Sequence, residues 1–271
     1  MSECNHNCES CGANCSQRKS APDKFQANPN SVIKNVIGIV SGKGGVGKSL
    51  VTGLLASSMR DKGFRVSIID ADITGPSIPK IFGLHEQVLS DGHNILPAIT
   101  KKGIKVISMN LCLPNENDPV VWRGPVLAGV LQQFWEEVDW GFTDYMFVDM
   151  PPGTGDVPLT VFQSLPLKGI IIVTTPQELV SMIVNKALKM AQLMNVPVLG
   201  LVENMAYFEC PDCGKKHYLF GEGKLEAIAS EAGIALTAEL PIVPGLAGLC
   251  DKGEIESFDA GKYFEDIINN L

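Results

Sequence analysis

Basic charge is scarce in this chain. Its 22 lysines and arginines stand against 30 aspartates and glutamates, a formal net charge of −8. Nonspecific nucleic-acid binding needs a basic face, so this balance counts against a DNA or RNA partner. Long apolar runs are lacking too. No uninterrupted stretch approaches the roughly 18 residues of a membrane span, so no membrane partner is expected. The opening MSECNHNCES has no apolar core and does not read as a secretory signal. A cytoplasmic protein is expected. Eight cysteines in such a protein point to metal ligands or redox groups rather than a disulfide framework. With 45% hydrophobic residues over 271 positions, the chain can bury the core of one large α/β domain or two small ones.

What is present in full is a phosphate loop. Val36 to Ser49 reads VIGIVSGKGGVGKS. A β-branched run leads into G-x-x-x-x-G-K-[ST], filled by Gly42, Gly47, Lys48 and Ser49. Glycines let successive backbone N–H groups face phosphate oxygens, because no Cβ blocks the turn. The helix expected from about Lys48 to Arg60 offers its positive end to the same anion. Lys48 is expected on the β/γ-phosphates and the Ser49 hydroxyl on Mg²⁺. Gly42, Lys43, Gly44, Gly45, Val46 and Gly47 complete the nucleotide cradle. A plain P-loop needs no cation at Lys43. That lysine must fold back or reach a second nucleotide; a solvated loop charge is the blander alternative.

The expected fold is α/β, a doubly wound and mostly parallel sheet with helices on both faces. Strands are read at Arg65–Asp70, Ile104–Met109, Tyr145–Asp149, Gly169–Thr174 and Val198–Glu203. Helices are read through Gln132 and Trp135, over Glu178–Met194, and over Lys262–Leu271. Asp70 and Asp72 follow the second strand, where carboxylates project into the ligand crevice of such a sheet. Asp149 ends an apolar strand in the Walker B manner and should hold Mg²⁺ through water. MPPGTGD follows it, with Gly153 and Gly155 giving the loop its freedom. Arg123 could face phosphate, a partner or solvent. The final helix, with Glu265 and Asp266, lacks the basic face of a lipid anchor.

The cysteines fall into two sets. Residues 1–30 are expected to be a cysteine-rich extension and linker, and residues 31–271 the ATPase domain. Cys4, Cys8, Cys11 and Cys15 are spaced C-x3-C-x2-C-x3-C and can converge on one [4Fe–4S] cluster or zinc; His6 is read as a solvated side chain, with a substitute ligand the alternative. Ser20 to Asn30 reads as the linker. Cys210 and Cys213 form a C-P-x-C-G turn that aims two thiols at one point. Two thiols are half a tetrahedral site, and a two-fold dimer would supply the other half. Zinc ribbons turn in the same way. Cys112 and Cys250 read as lone buried thiols.

K-G-G-x-G-K-S with Lys43 resembles the deviant-Walker ATPases, which include the MinD, ParA and nitrogenase-iron-protein families. Together with DADITGPSIP, MPPGTGD and the late C-x-x-C, it most closely resembles the Mrp/ApbC family of iron–sulfur cluster carriers, over about residues 33–255. That resemblance implies a homodimer in which Lys43 crosses to the partner's phosphates. It implies that Asp72, in a switch I segment, orients or deprotonates the attacking water, while Asp70 supports Mg²⁺ through water. It implies that Asn204 hydrogen-bonds adenine. The cofactors implied are ATP, Mg²⁺ and a [4Fe–4S] cluster, and the recipients are apo iron–sulfur proteins. The N-terminal cysteines resemble the extension of the family's nucleotide-binding-protein branch, although here only three residues separate the first two, where a much longer gap is usual. A ParA- or MinD-like positioning ATPase is the second reading. The acidic charge, the acidic last helix and the cysteines count against it. A zinc-stabilised regulatory ATPase is the third.

Overall fold

The β-branched run before the phosphate loop lies at the centre of the sheet. The computed structural model describes residues 24–72, 75, 77–113, 124–153, 155–176 and 180–271. Cys4, His6, Cys8, Cys11, Cys15, Pro76, Arg123 and Glu178 lie outside the described residues. The run forms β1 (Val32–Val40), and α1 (Lys48–Asp61) follows the loop. Then come β2 (Val66–Asp70), α2 (Ile78–Phe82), the hairpin of β3 (Leu89–Ser90) and β4 (Ile95–Leu96), and β5 (Ala98–Ile99). β6 (Lys105–Ser108), α3 (Gly124–Glu136), β7 (Phe142–Asp149), α4 (Asp156–Ser164), β8 (Leu167–Thr174), α5 (Val180–Leu193) and β9 (Val198–Glu203) complete the alternation. A second hairpin, β10 (Phe208–Glu209) and β11 (Lys216–His217), precedes α6 (Leu225–Ala232), β12 (Thr237–Glu239), α7 (Leu246–Asp251) and α8 (Glu265–Asn270).

Among the described residues the main sheet has eight strands, in the order β12-β9-β8-β1-β7-β2-β6-β5. Every pairing is parallel except β5 with β6 at one edge. The last five residues of β1 and all of β2 are buried, as a sheet covered on both faces demands. Side chains alternate between two cores. Val36, Val40, Val148, Trp135 and Trp140 lie in one; Ile37, Ile39, Leu54, Phe147 and Phe264 lie in the other. The strand order reverses at β1, between β8 and β7, so the carboxyl ends there open a crevice. No helix among the described residues is long and apolar enough to cross a membrane.

The sequence places the strands well, with differences at their ends. β7 begins at Phe142 rather than Tyr145, because Val32 and Ile33 of β1 pair with Phe142 and Thr143. Met109 leaves the strand for a 3-10 turn. The expected final helix is two pieces. A 3-10 turn at Gly261–Tyr263 precedes α8, and the fully buried Phe264 sits at the break. Part of the stretch read as linker is docked. Phe25 packs against the Trp135 core and its N–H donates to the Ser164 carbonyl at 3.0 Å. Asn28 is buried, its N–H on the Trp135 carbonyl and its side-chain amide on Asn94.

Candidate functional site: a P-loop recess and a two-thiol hairpin

Between β1 and α1 the chain must turn sharply back on itself. Gly45 and Gly47 do this with φ of 79° and 78°, the left-handed region that L side chains avoid. The result is a recess of about 220 Å³ walled by Ser41, Gly44, Gly45, Val46, Gly47, Lys48, Ser49, Asp72, Ser77 and Pro152. Gly42 and Lys43 adjoin it rather than wall it. The Lys43 carbonyl accepts the Ser41 hydroxyl at 3.0 Å. A larger cavity, about 590 Å³, lies at the β5 edge and shares no residue with this recess.

Behind the recess stands Asp149, fully buried at the end of β7. Lys48 Nζ lies 2.7 Å from its Oδ2. The Ser49 hydroxyl donates to the same oxygen at 2.6 Å, and Thr52 donates to Oδ1 at 2.7 Å. Three donors therefore converge on one carboxylate. Asp70, its register partner on β2, is also fully buried. Burial first, and then the Asp149 charge, push the Asp70 carboxyl well above its ordinary value. Ser108 donates to its Oδ2 and the Asp72 N–H to its Oδ1. Asp72 thus stands at the recess wall while Asp70 lies beneath it.

Asn204 follows β9 and is buried against the loop. Its side-chain amide donates to the Val46 carbonyl at 2.9 Å. Its Oδ1 accepts the Met205 N–H, and Met205 takes a positive φ of 58°. Beyond this turn Ala206 and Tyr207 bond to Leu240 and Ile242, and the chain enters the second hairpin. There the Cys210 N–H donates to Lys215 and the Gly214 N–H to Cys210. Backbone N–H groups of Asp212 and Cys213, and then the Cys213 thiol, draw the Cys210 thiol below its ordinary pKa. Cys213 is exposed and Cys210 half-buried. His217 packs beside Phe208. Among the described residues no three His, Cys, Asp or Glu side chains gather for a metal. Burial pushes Cys112 up to about 11 and raises Cys250 as well, so neither favours the thiolate.

The structure thus brings Gly44 to Ser49 and Asp72 around one recess, with Asp149 behind it and Asn204 buried against the loop. Cys210 and Cys213 stand six and nine residues further along the chain from Asn204. Sequence reading missed Thr52, Ser77 and Pro152. Thr52 was findable, since it lies one helical turn after Lys48 on the same face.

A family model described as ParA: NUBPL iron-transfer P-loop NTPase matches residues 32–271. An iron–sulfur cluster carrier protein from Clostridium perfringens is 48% identical, over 93% of this chain and 91% of its own. One from Methanocaldococcus jannaschii is 42% identical, over 93% and 90%. The solved nucleotide-binding protein from Archaeoglobus fulgidus, in complex with ADP, is 45% identical, covers 86% of this chain and 91% of its own, and superposes with a TM-score of 0.78. The MinC:MinD complex of Aquifex aeolicus, at 21% identity and TM-score 0.62, shares the fold. The phosphate loop, its buried aspartate and these relatives agree that the chain belongs to the NUBPL iron-transfer P-loop NTPase family.

Proposed function

We propose that this cytoplasmic chain is an ATP-dependent carrier of iron–sulfur clusters. As a homodimer it holds a [4Fe–4S] cluster on Cys210 and Cys213 of both copies and passes it to apo iron–sulfur proteins. The observation that carries this reading is the short strap from Asn204 to Cys210, which begins on the phosphate loop and ends on the thiols. Its turn at Met205 is backbone that a non-glycine residue adopts only under constraint. A shift in the loop would therefore be felt at the hairpin. The lowered pKa of Cys210 suits it to bind a soft metal as thiolate. The relatives named as cluster carriers, and the ADP held by the Archaeoglobus protein, support the two ligands together.

The site's donor set fits Mg-nucleotide. Loop N–H groups and Lys48 would hold the phosphates, and Lys43 would reach those of the partner copy. The Ser49 hydroxyl and Asp149 would hold Mg²⁺, which offsets phosphate charge when bound. Asp72, at the wall, would orient the water that attacks the γ-phosphorus and displaces ADP. Asn204 would read the base beside the loop it supports. The four N-terminal cysteines would form a separate thiol centre.

The test is anaerobic reconstitution with iron and sulfide, then transfer to an apo-ferredoxin with and without Mg-ATP. The Cys210→Ala/Cys213→Ala variant should lose the transferable cluster. If it takes up and delivers as much as wild type, or if the thiols retain only zinc, the carrier assignment to this hairpin is wrong.

A further inference from the structure

Resting on the two-fold pairing proposed above, we infer that the cavity at the β5 edge takes an extended, apolar segment of a partner protein. The segment adds a strand to β5 and is linked to the nucleotide recess through α2. The cavity holds about 590 Å³, and Leu84, Val88, Leu89, Leu96, Ala98 and Ile99 give it an apolar wall. Leu89, Leu96 and Ile99 are 70%, 40% and 63% exposed. Large apolar side chains scattered singly on a surface need no partner, but three that converge on one concave site mark an interaction surface.

The backbone sets the shape of the occupant. β5 ends the strand order, and among the described residues it pairs only with β6. The Thr100 N–H turns inward to the Ile104 carbonyl at 2.9 Å. Antiparallel pairs alternate, so the N–H and carbonyl of Ile99 face outward, away from β6. An incoming strand can bond to them while its alternate side chains enter the apolar wall. Pro97, which has no N–H, and the turn at Thr100 hold this edge to two residues. Main-chain bonds are then few, and burial of Leu89, Leu96 and Ile99 must supply most of the affinity.

Charge and symmetry choose a partner protein. Glu86 lies on the wall, and the exposed Lys101 stands two residues past Ile99. The neighbouring Lys102 ammonium is already held by Asp61 at 2.6 Å. Charge of both signs around an apolar middle suits a protein segment, whereas a phosphate backbone or an anionic lipid would be repelled by Glu86. Closure counts against a second copy. The thiol hairpin follows β9, near the opposite edge of the sheet. A chain that pairs two-fold there and pairs again at β5 would grow into an open filament.

The linkage runs through α2. Ser77, its N-cap, walls the recess, and Gly83, its C-cap, walls the cavity. Only five residues separate them, and Ile78, Pro79, Ile81 and Phe82 are buried, so the two ends move together. A nucleotide that shifts Ser77 therefore shifts the cavity wall, and such coupling is reciprocal.

The experiment uses the full chain and a fluorescent peptide of alternating valine and threonine ending in glutamate, read by anisotropy. Binding should saturate below about 1 mM. Leu89→Asp and Ile99→Asp, both at exposed positions, should each weaken it about tenfold, with an unchanged melting temperature as the check on the fold. The peptide is also made N-methylated at each of its two alternating sets of residues, which keeps every side chain. One of these two forms should bind about tenfold more weakly, since it lacks the donors that face β5. Mg-ADP should shift the peptide affinity about fivefold. No saturation, or equal binding by wild type and both variants, overturns the docking site. Equal binding of both methylated forms and the parent peptide overturns strand addition, and equal affinity with and without Mg-ADP overturns the linkage. A wild-type dimer whose mass by sedimentation falls in Ile99→Asp would show that β5 receives a second copy instead. If Cys210→Ala/Cys213→Ala keeps its full cluster, the thiol reading fails and the β5 site is still judged by anisotropy.

Discussion

Lys48 Nζ lies 2.7 Å from Asp149 Oδ2, with the lysine 6% exposed and the aspartate fully buried. The pair joins the first turn of α1 to the end of β7 and so fixes the loop against the sheet. A phosphate in the recess would compete with Asp149 for the same ammonium. Lys48→Ala should therefore abolish Mg-ATP turnover. It should also destabilise the fold by about 3 kcal/mol, since it strips a buried carboxylate of its countercharge. Lys43, at the rim, should behave differently: Lys43→Ala should lower turnover more than nucleotide affinity. Steady-state hydrolysis with a no-Mg²⁺ control, beside calorimetric nucleotide binding, separates the two. Undiminished turnover in either variant would remove that residue's role.

Thr52 holds the other oxygen of Asp149 at 2.7 Å from a fully buried site. Thr52→Val keeps the shape and deletes the donor. It should cost about 1–3 kcal/mol, because the lost bond is to a carboxylate. With Asp149 less firmly held, the Mg²⁺ concentration for half-maximal turnover should rise. Thr52→Ser should restore both quantities. A valine variant with wild-type Mg²⁺ dependence would show that the hydroxyl serves packing alone.

Gly47 is constrained twice. Its φ of 78° costs an L residue about 1–2 kcal/mol, and a Cβ there would lie 2.2 Å from the Asn204 amide nitrogen. Gly47→Ala should abolish nucleotide binding, because it pushes away the side chain that holds Val46. Adding Asn204→Ala should recover stability but not binding. Full nucleotide affinity in Gly47→Ala, measured by calorimetry, would show that this packing is not needed.

Much of the site was legible because its chemistry is local in sequence. The β-branched run, the glycines, Lys48 and Ser49 are contiguous, and Asp149 ends a strand whose apolar pattern is plain. What escaped depends on tertiary contact. Nothing in the sequence shows that Asn204 reaches back to Val46; Thr52 shares the Lys48 face of α1, but that its hydroxyl ends on Asp149 of β7 is a tertiary fact. Strand ends were misjudged where pairing continues past the apolar run, as from Tyr145 back to Phe142. The last helix was misjudged because buried Phe264 interrupts it. Polar Asn28 gave no hint that its amide would be buried on Asn94.

Glu203 ends β9 beside Glu239 of β12, with its carboxyl buried and Oε2 without a hydrogen-bond partner among the described residues. Burial, and then the Glu239 charge, push it up to about 7 from 4.5. The folded state therefore binds the proton more tightly than the unfolded chain. Between pH 4.5 and 7 stability should fall as pH rises, since the carboxyl must ionise where it is buried. Glu203→Gln should match wild type at low pH and exceed it above pH 7. Asp70, raised too, stays in both proteins, so the difference between them reports Glu203. Parallel stability profiles for the two proteins, from urea unfolding across this range, would rule the effect out.

Residues 24–30 are packed onto the ATPase domain. Phe25 is packed on the Trp135 core, the Trp135 indole N–H donates to the Phe25 carbonyl at 3.2 Å, and Asn28 is bonded to both Trp135 and Asn94. A chain starting at Lys24 keeps all of these contacts. It should melt as the full chain does and bind nucleotide equally well, because the recess draws nothing from this stretch. A chain starting at Ser31 loses a partly buried ring and several hydrogen bonds, together roughly 2–3 kcal/mol. At two to four degrees per kcal/mol for a domain of this size, its melting temperature should fall by roughly 5–10 °C. It would also leave the Trp135 indole and the Asn94 side chain without these partners. Nucleotide affinity should change little, since the lost contacts lie at the amino-terminal ends of the strands and the recess at their carboxyl ends. Equal melting of the two truncated chains would show that residues 24–30 only decorate the core, and the boundary would then move to β1.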